Sequence, residues 1–244
     1  MTGGDHRPAF YAVRGGGLAQ WWTLLHPPYT AWHLSYVVIG ACLAPRVDAG
    51  RLYATLLAFL LAVGFAAHLL DELQGRPLRT TVPSAVLVVV SAVTLAGAVG
   101  LGVAGVGRVG FALIPFIVAG VVLVLGYDLE LLGGRLHTTA AFAAGWGAFP
   151  VLTAYLAQTG GLGLGAVVVA AAAFGLSWAQ RRLSTPARLL RRHVVEASAD
   201  LVLDDGRVVR WHAADLLRPL EQALRALSWS MVALAAGLAV ARLR

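Results

Sequence analysis

The sequence predicts an all-α protein, a polytopic transmembrane bundle of about seven helices with a small helix-and-hairpin insert on one side. The chain is 59% hydrophobic and only 13% charged, whereas a typical soluble domain carries roughly 25% charged residues. Its mean hydropathy is +0.75. The apolar segments are long and do not alternate with polar residues, which is typical of helices rather than barrel strands.

Seven apolar segments come close to or exceed the roughly 20 residues that a helix needs to cross a bilayer. They lie near residues 29–45, 51–72, 83–105, 108–127, 138–157, 161–179 and 224–241. The first six form a core over residues 29–182, and the last belongs to residues 224–244. Residues 1–28 are predicted to be an N-terminal region with an interfacial helix, and residues 183–223 are predicted to be a cytoplasmic cap.

The cap is predicted to have structure of its own. Asp205-Gly206 stands between β-branched runs and is a strong turn signal, so residues 201–211 are expected to form a short hairpin. Ser184, followed two residues later by a proline, is a candidate N-cap for a helix before the hairpin. An amphipathic helix over residues 213–227, interrupted at Pro219, is predicted after it. We expect the cap either to lie on the headgroups or to cover a cavity.

The arginines orient the chain in the membrane. All 19 basic residues are arginine, and eight of them lie between Gln180 and Ala223. By the positive-inside rule this connection is cytoplasmic, which with seven spans places the N-terminus inside and the C-terminus outside. The net charge of +7 is thus explained by topology and anionic lipid, without a nucleic-acid partner. The composition, rich in alanine, arginine and glycine, indicates a GC-rich genome, and we expect a bacterial plasma membrane protein.

Two polar clusters are predicted on the cytoplasmic side. The first, at the end of the second apolar segment, contains His68, Asp71 and Glu72, which a helix presents on one side because they stand at i, i+3 and i+4. Arg76 follows them. The second cluster lies between the fourth and fifth segments and comprises Tyr127, Asp128, Glu130, Arg135 and His137. Ionisable residues at such depths are costly and tend to be paired or functional.

Three interpretations of these clusters remain open from the residues alone. Carboxylates at one membrane face can hold Mg²⁺, which prefers oxygen ligands and usually bridges to a phosphate. The candidate metal ligands are Asp71, Glu72, Asp128 and Glu130. Alternatively, the carboxylates are helix-end charges that pair with nearby arginines. In the third interpretation His68 and His137 join the carboxylates in a transition-metal site, since nitrogen ligands suit zinc or iron.

Residues 67–78 read Ala-His-Leu-Leu-Asp-Glu-Leu-Gln-Gly-Arg-Pro-Leu. This segment resembles the first aspartate motif of the UbiA superfamily of intramembrane prenyltransferases, N-D-x-x-D-x-x-x-D, with its common R-P-[IL] continuation. Tyr127–Arg135 and Gly145–Pro150 are also similar to that family, so the resemblance covers about residues 20–182. Asp71 alone of the four motif positions is retained. The family's second motif, D-x-x-x-D, is replaced by the basic segment 180–188.

The resemblance implies an atypical prenyltransferase that acts on an isoprenoid diphosphate with the help of Mg²⁺ at a cytoplasm-facing cavity. It implies catalytic roles for Asp71, Glu72 and His68. The implied substrate-binding residues are Arg76, Arg135, Tyr127, His33 and Tyr36. Because arginines replace the second motif, a diphosphate could also be bound by arginine directly. The alternative function is non-catalytic, either an isoprenoid- or lipid-binding protein or a subunit with a protein partner.

Overall fold

The computed structural model describes residues 8–13, 15–131 and 133–243. These residues form a helical bundle with one small hairpin. The α-helices are α1 (Leu18–Leu24), α2 (Pro27–Cys42), α3 (Ala49–Phe59), α4 (His68–Leu73), α5 (Ser84–Val109), α6 (Ile114–Asp128), α7 (Thr139–Ala143), α8 (Phe149–Thr159), α9 (Leu164–Arg192) and α10 (Ala213–Arg242). Two π-helical segments, Leu60–Ala67 and Ala144–Ala148, join α3 to α4 and α7 to α8.

Within the described residues, six helical stretches are long and apolar enough to cross a membrane. They are Ala49–Leu73, Ser84–Val109, Phe111–Asp128, Thr139–Thr159, Leu164–Arg192 and Ala213–Arg242. These stretches support the predicted all-helical membrane protein. The counterpart of the first predicted span is α2, which has 16 residues and is therefore about 24 Å long. This is shorter than a typical spanning helix.

Two helices continue where the sequence predicted interruptions. Ser184 does not begin a new helix, because α9 runs unbroken through Pro186 to Arg192. Likewise α10 contains Pro219 and is one helix from the hairpin to the C-terminal region. A proline inside a helix removes one backbone hydrogen bond. In both cases the helix continues on either side of the proline, so residues assigned to the cap belong to membrane-spanning helices.

The predicted hairpin is confirmed. Strand β1 (Ser198–Val202) pairs in antiparallel fashion with β2 (Val208–His212). The turn contains Gly206, whose φ of +80° lies in the left-handed region that glycine enters at no steric cost. On one face of the ladder, Arg210 Nε donates to Asp200 Oδ1 at 2.7 Å. All ten strand residues are exposed.

Polar contacts join several helix ends at one end of the bundle, which we call the distal end. Arg51, at the start of α3, donates to the carbonyl oxygens of Gln158 (2.9 Å) and Arg108 (2.8 Å). Arg242, at the end of α10, donates to the carbonyl of Pro45 at 3.1 Å. The ends of α5, α8 and α10 and the loop after α2 therefore lie together. These contacts satisfy helix-terminal carbonyls that would otherwise be unpaired.

Helix α2 packs closely against its neighbours because small residues stand at the crossings. A Cβ atom added at Gly40 would lie 2.3 Å from the carbonyl oxygen of Val151 on α8. In the same layer Trp32 and Tyr36 are almost completely buried. Trp32 Nε1 donates to Tyr36 Oη at 2.7 Å, and Ser177 Oγ of α9 donates to the same oxygen at 3.3 Å. Small residues permit such close approach between apolar helices.

The Gly40 crossing gives a direct test of this packing. Gly40→Ala is expected to lower the free energy of unfolding by about 1–3 kcal/mol, the usual cost of overpacking, because the methyl group meets backbone that cannot move aside. Gly237→Ala on α10 is the matched control, since nothing lies within 4 Å of its added Cβ. Thermal unfolding in detergent measures both variants. Equal stability of the two variants would show that α2 and α8 do not cross here.

Candidate functional site

A polar cavity of about 260 Å³ lies at the end of the bundle away from the distal end. Residues before α1 and residues of α2, α4, α6, α7, α9 and α10 line it. Its polar side chains include Tyr11, His26, His33, His68, Asp71, Tyr127, Asp128, Glu130, His137, Gln180, Arg181, Arg188, Arg191, Arg192 and Glu221. Both polar clusters identified in the sequence therefore contribute to one cavity, which we call the polar cavity.

The structure distributes the predicted site residues unevenly. Six of the ten line the polar cavity, namely His33, His68, Asp71, Tyr127, Asp128 and Glu130. The other four, Glu72, Arg76, Arg135 and Tyr36, are not among its lining residues. Arg135 is exposed in the turn after α6. Tyr36 is buried in the α2 layer described above.

Glu72 is a structural anchor for the loop that follows α4. Its side chain is completely buried. Glu72 Oε2 accepts from the backbone N–H of Leu78 (2.9 Å), and Oε1 accepts from the backbone N–H and the hydroxyl of Thr80 (both 2.9 Å). Arg76, in the same loop, donates to Val82 O and to Ser84 Oγ, both at 2.6 Å. Hydrogen bonds to the loop therefore engage the side chains of Glu72 and Arg76, which the sequence predicted to be site residues.

The two π-helical segments position side chains of the polar cavity. The first ends immediately before His68, and the second contains Trp146. His68 Nδ1 lies 3.2 Å from the carbonyl oxygen of Gly64, and His33 Nδ1 lies 2.8 Å from that of Trp146. Since a carbonyl only accepts, both Nδ1 atoms carry a proton, and each Nε2 keeps a lone pair. Short π-helical segments are frequent at functional sites.

Arg181 and His137 form a second ordered pair in the cavity wall. Arg181 Nη2 lies 2.9 Å from His137 Nε2. Because a guanidinium group only donates, Nε2 accepts and Nδ1 carries the proton, and that Nδ1 faces the carbonyl oxygen of Tyr127 at 3.3 Å. The Arg181 guanidinium also lies over the rings of Phe142 (5.4 Å) and Tyr127 (5.9 Å). These contacts hold the side chain at the cavity wall.

Sequence reasoning used the arginines of α9 for topology and allowed the basic segment 180–188 to bind a diphosphate, but it singled out none of them as a site residue. In the structure four of them, Arg181, Arg188, Arg191 and Arg192, line the polar cavity. Arg191 is paired with Glu221 of α10. The signal that could have identified them is their spacing, because positions i, i+7 and i+11 lie on one side of a helix.

Residues 8–13 form a short segment that closes the polar cavity on one side. Arg192 Nε donates to the carbonyl oxygen of Pro8 at 3.1 Å, and the ring of Tyr11 lies 5.4 Å from that of His26. Burial raises the pKa of Tyr11 well above its ordinary value. Burial, together with the neighbouring His68, lowers the pKa of His26 well below its ordinary value. Both side chains are therefore neutral at pH 7.

Four buried side-chain atoms have no hydrogen-bond partner among the residues that the structure describes. They are His26 Nε2, Tyr127 Oη, Asp128 Oδ2 and Gln180 Oε1, and all four side chains line the polar cavity. Buried polar atoms are nearly always hydrogen-bonded. Their convergence on one cavity indicates that its contents, water or ligand, supply the missing partners.

The described residues do not by themselves form a protein metal site. Across the described residues, no three histidine, cysteine, aspartate or glutamate side chains are grouped so that they could hold a metal ion. Of the four predicted ligands, Glu72 is occupied by the loop, and the side chain of Glu130 is 54% exposed and lies 3.7 Å from His137. Asp71, Asp128 and Glu130 line the polar cavity, and a Mg²⁺ site with so few carboxylates usually needs the phosphate oxygens of a bound substrate as further ligands.

An apolar cavity of about 310 Å³ lies on the other side of Trp146. Its walls come mainly from α3, α5, α6 and α8, with Arg51 and Arg108 at the distal end of the bundle. Trp146 lines both cavities, and its ring is stacked on Phe142 at a centroid distance of 5.7 Å. A polar and an apolar compartment therefore meet at one tryptophan.

Comparison with known proteins gives no relative: no family model, no curated protein and no solved structure matches the chain.

The structural role of Glu72 is testable. Glu72→Gln is expected to lower the free energy of unfolding by about 1–3 kcal/mol, because an amide nitrogen replaces one acceptor and leaves a buried N–H unpaired. Glu196→Gln, at an exposed position, is the control. Thermal unfolding in detergent with a chelator measures the loss. A metal ligand without a structural role would show unchanged stability under these conditions.

Proposed function

We propose that the protein is an atypical UbiA-like membrane enzyme that binds an isoprenoid diphosphate and acts on it in the polar cavity. The observation that carries the proposal is the junction of the two cavities at Trp146. An isoprenoid diphosphate has a charged head and an apolar chain, and these need adjoining compartments of opposite polarity. The resemblance of the motif around Asp71 to the first aspartate motif of the UbiA superfamily also supports the proposal.

The apolar compartment suits the isoprenoid chain. Its lining is almost entirely aliphatic and aromatic, with small residues such as Gly102, Gly105 and Gly120 along its walls. Burial of the chain contributes about 25 cal/mol for each Å² removed from water, although lipid offers it a competing apolar environment. Binding of the isoprenoid chain therefore orients the substrate, and contacts of the polar cavity with the diphosphate head provide most of the recognition.

The reaction is a transfer or hydrolysis at the prenyl carbon. Its C–O bond to the diphosphate breaks and the electron pair leaves on the diphosphate, while the carbon bonds to the nucleophilic atom of the acceptor. The acceptor's proton passes to a group in the cavity. Asp71 and His68 line the cavity, and His68 Nε2 keeps its lone pair because Nδ1 faces the Gly64 carbonyl. Positioned groups of this kind contribute about 10²–10⁴-fold to a rate.

The proposed topology places the polar cavity at the cytoplasmic face. Helix α2 begins at the polar cavity, at His26, and the loop after it reaches the distal end, where Pro45 contacts Arg242. We therefore count α2 as a seventh crossing, with the N-terminus inside and the C-terminus outside. The arginines around the polar cavity then follow the positive-inside rule.

A non-catalytic lipid-binding protein is the second candidate. It is favoured by the incomplete metal site, because UbiA-like catalysis as implied by the family pattern depends on several bound metal ions. In that case the polar cavity holds an isoprenoid or another phosphorylated lipid without chemical change. Native mass spectrometry of the purified protein would then detect a stably bound lipid, and prenyl diphosphates would not turn over.

The enzyme proposal is tested by diphosphate release. The purified protein, in detergent or nanodiscs, is incubated with prenyl diphosphates of increasing chain length, with and without Mg²⁺. We expect release by the native chain and a decrease of about 100-fold in Asp71→Asn, in line with the loss of a positioned acid–base group.

The matched control for this assay is Asp204→Asn, which changes an exposed carboxylate in the hairpin turn. It is expected to retain full activity. Absence of diphosphate release by the native chain at every chain length and with every acceptor class would refute the enzyme proposal and leave the lipid-binding candidate.

A further inference from the structure

We propose that Arg181, Arg188 and Arg192 of α9 bind the phosphate groups of the ligand directly, without a divalent cation. This proposal rests on the proposed function, which supplies the diphosphate as the ligand. It adds the side chains that hold the diphosphate. It also assigns this role to residues other than Arg76 and Arg135, whose positions in the sequence first indicated phosphate contacts.

The geometry of α9 places these three side chains together. They stand at i, i+7 and i+11, which corresponds to one narrow stripe along a helix, and all three line the polar cavity. Arg182 is adjacent in sequence but lies about 100° away around the helix, and it is exposed and outside the cavity lining. The stripe is therefore a property of the cavity wall rather than of a uniformly basic helix.

The three arginines share the polar cavity with Asp71 but form no salt bridge with it or with another carboxylate of the described residues. Within the described residues, no carboxylate lies within 4 Å of Arg181, Arg188 or Arg192, whereas Arg191 is paired with Glu221. Arg181 donates to a neutral His137 ring, and Arg192 donates to the Pro8 carbonyl. Partly buried guanidinium groups are costly unless an anion compensates them. Phosphate is the anion whose geometry the guanidinium fork matches.

Two further donors face the same volume. Tyr127 Oη and His26 Nε2 are buried and have no partner among the described residues, and both side chains are cavity residues. The Tyr127 hydroxyl can donate to a phosphate oxygen, and so can His26 when its proton is on Nε2. The unpartnered oxygens of Asp128 and Gln180 only accept, so they suit hydroxyl groups or water around the phosphate.

Direct binding by arginine agrees with the incomplete set of metal ligands among the described residues. The family pattern implies several carboxylates around a metal-bridged diphosphate, whereas one of the four predicted ligands, Glu72, is engaged by the loop after α4. The basic segment 180–188 stands where the family pattern has its second aspartate motif. A guanidinium group supplies at this position the positive charge that an aspartate-bound cation supplies in the family pattern.

The experiment measures binding of inorganic pyrophosphate to the purified full-length chain by calorimetry, in excess EDTA. We expect saturable binding that Arg188→Gln weakens by about tenfold or more, as expected for loss of a charge-assisted hydrogen-bonded contact. Arg182→Gln is the matched control and should bind as the native chain does. Arg188 is the preferred site because, within the part of the chain that the structure describes, its side chain donates only to Thr185 Oγ1, at a long 3.4 Å.

A second arm repeats the titration with a prenyl diphosphate. Tighter binding than pyrophosphate, with the same loss in Arg188→Gln, identifies a lipid headgroup as the ligand, and equal affinity identifies a free phosphate compound. Arg188→Lys keeps the charge and loses the fork, so it should bind with intermediate affinity. Its thermal unfolding, compared with the native chain, separates weakened binding from failure to fold.

Three results would overturn the assignment. One is binding that requires Mg²⁺ and disappears in EDTA, another is equal weakening by Arg182→Gln and Arg188→Gln, and the third is no binding of either diphosphate. The test is independent of turnover. If the native chain binds diphosphate in EDTA but never releases it from a prenyl diphosphate, the enzyme proposal alone is refuted. If the native chain turns over but binds diphosphate only with Mg²⁺, the arginine site alone is refuted.

Discussion

Polar groups among lipid-facing helices have to find their partners inside the bundle, and this constraint shapes the whole molecule. Backbone groups are satisfied by the helices themselves. The hydroxyls of Ser35 and Ser91 donate to carbonyls one turn back along the helix. Glu72 is fully buried and is satisfied by the loop that it anchors. At the polar cavity, by contrast, four buried polar atoms of the described residues stay without partners, so water or a ligand in the cavity has to supply them.

The two π-helical segments connect this constraint to the proposed function. An extra residue per turn rotates the side chains that follow it, and here the segments are followed by His68 and include Trp146. His33 is tied to the second segment through the Trp146 carbonyl. Trp146 separates a compartment suited to a charged head from one suited to an apolar chain. In the proposed function, recognition of an amphipathic lipid thus depends on a local departure from regular helix geometry.

Sequence reasoning could predict the helices and the meeting of the two clusters, because segment length and loop order determine which ends lie together. It could not predict that Glu72 and Arg76 lie outside the cavity lining, because their spacing agrees with a site. Only the conformation of the loop up to Ser84 shows that both side chains are hydrogen-bonded to that loop. The α9 arginines were attributed to orientation by the positive-inside rule, and Ser184 and Pro186 predicted a helix start within the segment that carries them. A continuous helix through that proline places Arg188 and Arg192 in the cavity.

An experimental structure determined with pyrophosphate in EDTA tests the central claim most directly. The account predicts a diphosphate in the polar cavity, within hydrogen-bonding distance of the guanidinium groups of Arg181, Arg188 and Arg192 and without a bridging metal ion. A diphosphate bound at exposed arginines such as Arg182, or held through a cation by Asp71 and Asp128, would contradict it.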